Sequence, residues 1–144
     1  MKVEFVVSAC LCGCKCRYDG KDNLNPYVKK LVDEGRAIPV CPEVMGGLST
    51  PRLPSEIIDG LVINSVGFDN TPFYLKGALE SMKIVEEHNI KKAILKAKSP
   101  SCGARFIYDG TFTRTLIPGS GVFAKMLIDK GVLIYEEGDD LSEL

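Results

Sequence analysis

The order in which apolar runs alternate along this chain constrains its fold more than any single residue does. "VEFVVSA" (Val3–Ala9), "RAIPVCPE", "KKAILKAK" and "VLIYEE" are short, apolar and rich in β-branched residues, as strands buried on both faces are. Between them lie stretches with helical spacing. "LNPYVKKLVDEG" has Asn25 to cap it, Pro26 for its first turn and Gly35 to close it, with Tyr27, Val28, Leu31 and Val32 on one face. "FYLKGALESMKIVEEHN" places Leu75, Ala78, Leu79, Met82 and Val85 on one stripe. "GSGVFAKMLIDKG" does the same with Val122, Phe123, Met126 and Leu127, behind Ser120 as the expected N-cap. This alternation predicts an α/β fold, a mainly parallel central sheet flanked by helices (Rossmann-like), in a single domain over residues 1–144.

Two segments interrupt the pattern. Residues 44–72 are rich in Gly, Pro, Ser and Thr and read as a long excursion with a short hairpin turning near Asp59-Gly60. A structured loop of that length in a small domain is usually functional. "RFIYDGTFTR" reads as a second hairpin, turning at Asp109-Gly110. The acidic tail after Gly138 is expected to fray.

Charge and hydropathy narrow the function. With 18 Lys and Arg against 19 Asp and Glu in 144 residues, the chain offers no electrostatic footprint for nucleic acid or an anionic membrane. No apolar run approaches a spanning helix, and "MKVEFVVSAC" lacks the length and cleavage site of a signal peptide. A cytoplasmic protein with a small-molecule partner is the expectation, and nothing fixes its oligomeric state. In a reducing compartment six cysteines point to metal or catalysis rather than to disulfides.

Four of the six stand at every second position of "SACLCGCKCRYDG": Cys10, Cys12, Cys14 and Cys16. The strand order says more than this local spacing. Cys10 follows the first strand, Cys41 the second and Cys102 the third, so parallel neighbouring strands would deliver all three to one sheet edge. That edge, beyond the carboxyl ends of the strands, is where open α/β sheets bind ligands. Three thiolates from three loops suit an iron–sulfur cluster, or a zinc ion with an open position; small buried thiols are the plain alternative. Glu43 follows Cys41 by two residues, placing a carboxylate beside such a site. Ser99 and Ser101 flank Cys102, where their hydroxyls either orient a polar ligand or cap turns.

Other residues carry weaker signals. Arg17, Arg52, Arg105 and Arg114 lie in predicted loops, where an arginine meets an anion or simply solvent. Gly46-Gly47 in "MGGLSTPR" exposes amides, but the segment lacks the Gly-Lys-Ser/Thr ending of a P-loop. His88 sits in a charged helical stretch and reads as a surface residue, and Tyr18 and Tyr108 read as turn-packing aromatics at the edge of a pocket.

Together, "VSACLCGCKCRYDG", "PVCPEVMGGLSTPRLPSEI", "KAKSPSCG" and "IYDGTFTRTLIPGSGVFAKML" resemble the small bacterial family that includes the thiouracil desulfidases, over residues 3 to about 135. The resemblance implies a 4Fe-4S cluster held by three cysteines, here Cys10, Cys41 and Cys102, with zinc the less favoured occupant. It implies non-redox removal of sulfur from a thiolated nucleobase such as 2-thiouracil, or a related thioamide-like substrate, with water replacing sulfur. Glu43 then matches the acidic residue of the "CPE" motif, and Ser99 and Ser101 match the serines of "SPSCG", as residues that activate water or position substrate. Cys12 and Cys14 stand where the family pattern has no cysteine, and with Cys16 they are read as non-ligands. The competing reading is a non-enzymatic metal-binding or redox-sensing module built on Cys10, Cys12, Cys14 and Cys16.

Overall fold

The computed structural model describes residues 2–144. The chain runs β1 (Phe5–Ser8), a 3₁₀ turn (Ala9–Cys12), α1 (Pro26–Asp33), β2 (Ala37–Val40), α2 (Pro42–Met45), β3 (Ser55–Ile58) and β4 (Leu61–Asn64). It continues through α3 (Thr71–Glu87), β5 (Lys92–Leu95), β6 (Phe106–Tyr108), β7 (Leu116–Pro118), α4 (Val122–Lys130) and β8 (Leu133–Glu136). β2, β1, β5 and β8, in that order, form the central four-stranded sheet, and every pairing in it is parallel. The α/β architecture read from the alternation is the one observed.

The pleat of the strands sorts their side chains onto two faces. Val6, Ala93 and Leu95 meet Ala78, Met82 and Val85 of α3 and Phe123, Ala124 and Leu127 of α4 on one face. Phe5, Val7 and Ile94 meet Val28 and Leu31 of α1 on the other. α1 begins where Asn25 caps it, its side chain accepting from the backbone N–H of Tyr27 and Val28.

The buried face of α3 differs from the expected stripe. Leu75 and Leu79 are 43% and 55% exposed, and Tyr74, Gly77 and Ser81 face inward with Ala78, Met82 and Val85. Two glycines explain the rotation. A Cβ on Gly46, just after α2, would lie 1.9 Å from the Phe73 carbonyl oxygen, and one on Gly77 would lie 1.6 Å from that of Pro42. α2 and α3 therefore touch backbone to backbone, which draws the Gly77 side of α3 inward. Gly46 serves this contact, which accounts for a glycine in "MGGLSTPR" without phosphate binding.

Of the two small hairpins, β3–β4 turns at Asp59 and Gly60 with φ of 50° and 79°, the left-handed pair of a two-residue turn. β6 and β7 pair, but the connection is the longer loop 109–115 rather than a tight turn at Asp109-Gly110, and Phe112 and Arg114 adopt φ of 58° and 63° within it. Two further expectations change. Gly121 rather than Ser120 occupies the N-cap of α4, because the Ser120 hydroxyl donates to the Ala104 carbonyl at 3.1 Å. The acidic tail is docked: Leu141 is 3% exposed in the α1-side core, and Asp139 pairs with Arg105 at 2.7 Å.

Candidate functional site

β2, β1 and β5 are consecutive neighbours and all parallel, so their carboxyl ends open on one edge. A cavity of about 680 Å³ lies there, and Cys10, Cys41, Cys102, Glu43, Ser99 and Ser101 all line it. Residues far apart in sequence meet because each follows one of these strands closely. Cys16 also lines the cavity, whereas Cys12 and Cys14 lie outside its lining and face each other with their sulfurs 4.0 Å apart. Among the described residues, no three His, Cys, Asp or Glu side chains converge closely enough to hold a single metal ion. The run of four alternating cysteines does not fold into one four-thiolate site.

Two of the three strand-end thiols have a hydrogen-bond donor turned toward the sulfur. Asn23 Nδ2 donates to Cys10 Sγ at 3.4 Å, and Arg17 Nη1 holds that amide in place by donating to Asn23 Oδ1 at 2.9 Å. Ser101 Oγ donates to Cys102 Sγ at 3.7 Å. Cys41 Sγ itself donates to the Cys16 carbonyl at 3.9 Å. Burial raises Cys10 and Cys102 above an ordinary thiol, opposed by neighbouring donors. The nearby Cys16 thiol lowers Cys41 to about 7, while Cys16 itself is raised. Donors aimed at sulfur favour its anionic form, the form that ligates metal.

The two serines separate in role. Ser99 Oγ accepts the backbone N–H of Ser101 and of Cys102, both at 3.1 Å, and so shapes the turn that presents Cys102. Ser101 is 1% exposed and its hydroxyl is turned toward the Cys102 sulfur. Ser99 is the half-buried one of the pair.

Glu43 reaches the cavity from the first turn of α2 with both carboxylate oxygens engaged. Oε2 accepts from Arg52 Nη2 at 3.2 Å, and Oε1 accepts from the Tyr74 hydroxyl. Arg52 Nη2 also donates to the Cys16 carbonyl at 2.9 Å, so one guanidinium fixes the thiol loop against Glu43. Neither partner was named for this role from sequence: Arg52 appeared only as one loop arginine among four, and Tyr74 not at all. The Gly46–Gly77 contact is what brings Tyr74 within reach.

The far wall comes from the β3–β4 hairpin and the loop after β6. Glu56, 9% exposed, accepts the backbone N–H of Gly110 and of Phe112 through Oε1, at 3.0 and 3.1 Å. Phe112, Tyr108 and Tyr18 add aromatic surface to the cavity, and Arg17, Lys96, Lys98 and Arg114 add positive charge. Glu56 had a sequence signal, a carboxylate at the start of the apolar run "SEIIDG", but Phe112 had none. The remaining candidates lie elsewhere: Arg105 pairs with Glu136 and Asp139, and His88 is exposed at the end of α3. Among the described residues no helix is long and apolar enough to cross a membrane.

Comparison with known proteins places this site in context. The family model for 2-thiouracil desulfurase matches residues 5–139. The protein YbbK of Bacillus subtilis (strain 168) is 42% identical over 144 residues, covering 93% of this chain and 95% of its own. The solved structure of TudS, a 4Fe-4S-dependent thiouracil desulfidase, superposes with a TM-score of 0.91 at 38% identity, covering 99% of this chain and 95% of that one.

Proposed function

Because the chain belongs to the 2-thiouracil desulfurase family, a family of sulfur-removing enzymes, we propose that it hydrolyses the carbon–sulfur bond of a thiolated pyrimidine such as 2-thiouracil at a 4Fe-4S cluster held by Cys10, Cys41 and Cys102. The observation that carries this reading is the convergence of those thiols, with Glu43, on one cavity at the carboxyl edge of the sheet. The donor set fits the group. Three soft sulfur groups share a cavity, and Asn23 and Ser101 direct donors at two of them, the outer support that metal–thiolate sites need.

A cluster held by Cys10, Cys41 and Cys102 would supply soft Lewis-acid iron suited to a thiocarbonyl sulfur. Overall, water supplies the new carbonyl oxygen, its two protons pass to sulfur, and sulfide leaves without electron transfer. Glu43 is the group placed to take the first proton from that water. Its Oε1 and Oε2 are fixed by Tyr74 and Arg52, and the carboxylate lies on the cavity wall. Ser99 and Ser101, their hydroxyls hydrogen-bonded to each other at 3.1 Å, both line the cavity and are the hydroxyls nearest Cys102 that a substrate heteroatom would meet. Phe112, Tyr108 and Tyr18 offer a planar ring apolar faces.

Anaerobic reconstitution followed by iron and sulfide counting, then addition of 2-thiouracil with sulfide detection, tests the proposal. About four irons per chain and stoichiometric release of sulfide and uracil are expected. Colourless protein with stoichiometric zinc, or a loaded cluster that releases no sulfide from any thiopyrimidine, would overturn it.

A further inference from the structure

We propose that Tyr74 is a positioning residue for Glu43, holding its carboxylate from a buried place in the first turn of α3. The inference rests on the reading of Glu43 as the group that receives the water proton. Tyr74 is 2% exposed and its hydroxyl donates to Glu43 Oε1. The backbone that carries the ring is anchored too: the Tyr74 N–H donates to the Asn70 carbonyl at 3.2 Å, and Asn70 Nδ2 donates to Ser55 Oγ at 3.4 Å.

A carboxylate only accepts, so the Tyr74 hydroxyl gives its hydrogen to Glu43. The contact is a brace that holds a carboxylate in place. Burial and the Glu43 charge both raise the Tyr74 phenol, which keeps the hydrogen on its oxygen.

The brace has a geometric purpose. Arg52 secures Oε2 from one side, about which the carboxylate would otherwise turn. With Tyr74 on Oε1, the carboxylate plane is fixed and its remaining lone pairs keep one direction relative to the cavity. Tyr74 lies in the first turn of α3 and Asn70, just before that helix, ties it to Ser55 of β3, so the middle segment of the chain anchors the helix that carries this brace. A phenylalanine would fill the same space, so packing alone does not explain the hydroxyl.

The test is Tyr74→Phe in the reconstituted holoenzyme, assayed with 2-thiouracil beside Glu43→Gln and the double variant. We expect Tyr74→Phe to keep wild-type iron content and visible absorbance, to leave KM unchanged, and to lower kcat per cluster on the order of 10- to 100-fold. Glu43→Gln should lose turnover, and adding Tyr74→Phe to it should cost nothing more. In cluster-free protein, a double-mutant cycle on urea unfolding should show the two residues coupled. Turnover lost in Glu43→Gln but wild-type in Tyr74→Phe overturns the brace alone. Full turnover in Glu43→Gln overturns the reading on which it rests. A loss confined to KM also overturns the brace. If Tyr74→Phe does not fold, Glu43→Asp decides: it keeps the carboxylate but draws it back from the Tyr74 hydroxyl, with a fall in kcat at wild-type iron content expected and an unchanged kcat overturning the proposal.

Discussion

Glu56 Oε1 accepts the backbone N–H of Phe112 at 3.1 Å while also accepting that of Gly110 at 3.0 Å. One buried carboxylate thus holds a loop whose Phe112 and Arg114 sit in the left-handed region that side chains rarely adopt. Without this tether the loop has little reason to keep its aromatic ring over the cavity. Glu56→Ala is expected to raise KM for a thiopyrimidine on the order of 10-fold, since hydrogen bonds to a charged acceptor contribute about 1.5–3 kcal/mol, with kcat changed little. Glu56→Gln keeps an acceptor and should show a smaller rise. Hydrogen exchange over residues 109–115 should accelerate in parallel. Unchanged KM and unchanged exchange in Glu56→Ala would rule the tether out.

The backbone contact between α2 and α3 makes a sharper stability prediction. A Cβ at position 77 would sit 1.6 Å from the Pro42 carbonyl oxygen, a gap that no side-chain rearrangement relieves. Gly77→Ala must therefore push the helices apart, and overpacking of this kind costs roughly 1–3 kcal/mol or more. Urea unfolding of the cluster-free protein should report the loss. Turnover should fall as well, because the same contact sets Tyr74 against Glu43. A variant as stable as the parent would show that the helices slide without cost.

What the sequence revealed and concealed divides along the same line. Cys10, Cys41, Cys102 and Glu43 were legible because each follows a strand at short range, so strand order alone places them at one edge. Asn23, Tyr74 and Phe112 were not, because each reaches the site through a tertiary approach that no local pattern encodes. Leu75 and Leu79 fit a helical stripe as well as Tyr74 and Ser81 do, and only the Gly46–Gly77 contact decides which side faces in. The loop 109–115 misled for a related reason. Asp109-Gly110 is a strong turn signal locally, but Glu56, from another hairpin, captures the Gly110 amide and extends the turn.

The docked tail yields a pH-dependent prediction. Arg105 donates to both Asp139 carboxylate oxygens, at 2.8 and 2.7 Å, and holds that carboxyl at about 2 against 3.8 for a free one. A depressed carboxyl contributes stability above its unfolded value and loses it as pH falls through the folded one. Asp139→Asn should therefore lower Tm modestly at pH 5 to 7, as expected for a partly exposed pair contributing about 1 kcal/mol or less. The difference from wild type should shrink as pH falls below 3.8 and vanish near 2. A gap in Tm that persists unchanged at the lowest pH would assign the effect to something other than charge.

The six cysteines divide into groups that a serine scan separates by iron content rather than by activity. Cys10, Cys41 and Cys102 all line the cavity, two of them with donors aimed at their sulfurs, and replacing any one removes a proposed ligand. Each of these three variants should retain well under half the wild-type iron and lose the broad visible absorbance of the cluster. Cys12 and Cys14 face each other outside the cavity lining, Cys12 donating to the Ala9 carbonyl at 3.2 Å, and serine at either position should leave iron content unchanged. Cys16 stands between these cases. It lines the cavity and its backbone carbonyl accepts from Cys41 Sγ at 3.9 Å, without being one of the proposed strand-end ligands, so Cys16→Ser should load normally and, with the surroundings of Cys41 changed, lose iron in air at a different rate from the parent. Iron loss in Cys12→Ser or Cys14→Ser as severe as in Cys10→Ser would instead move the ligand set onto the alternating run. Iron and sulfide counts on anaerobically reconstituted variants read this outcome without any substrate.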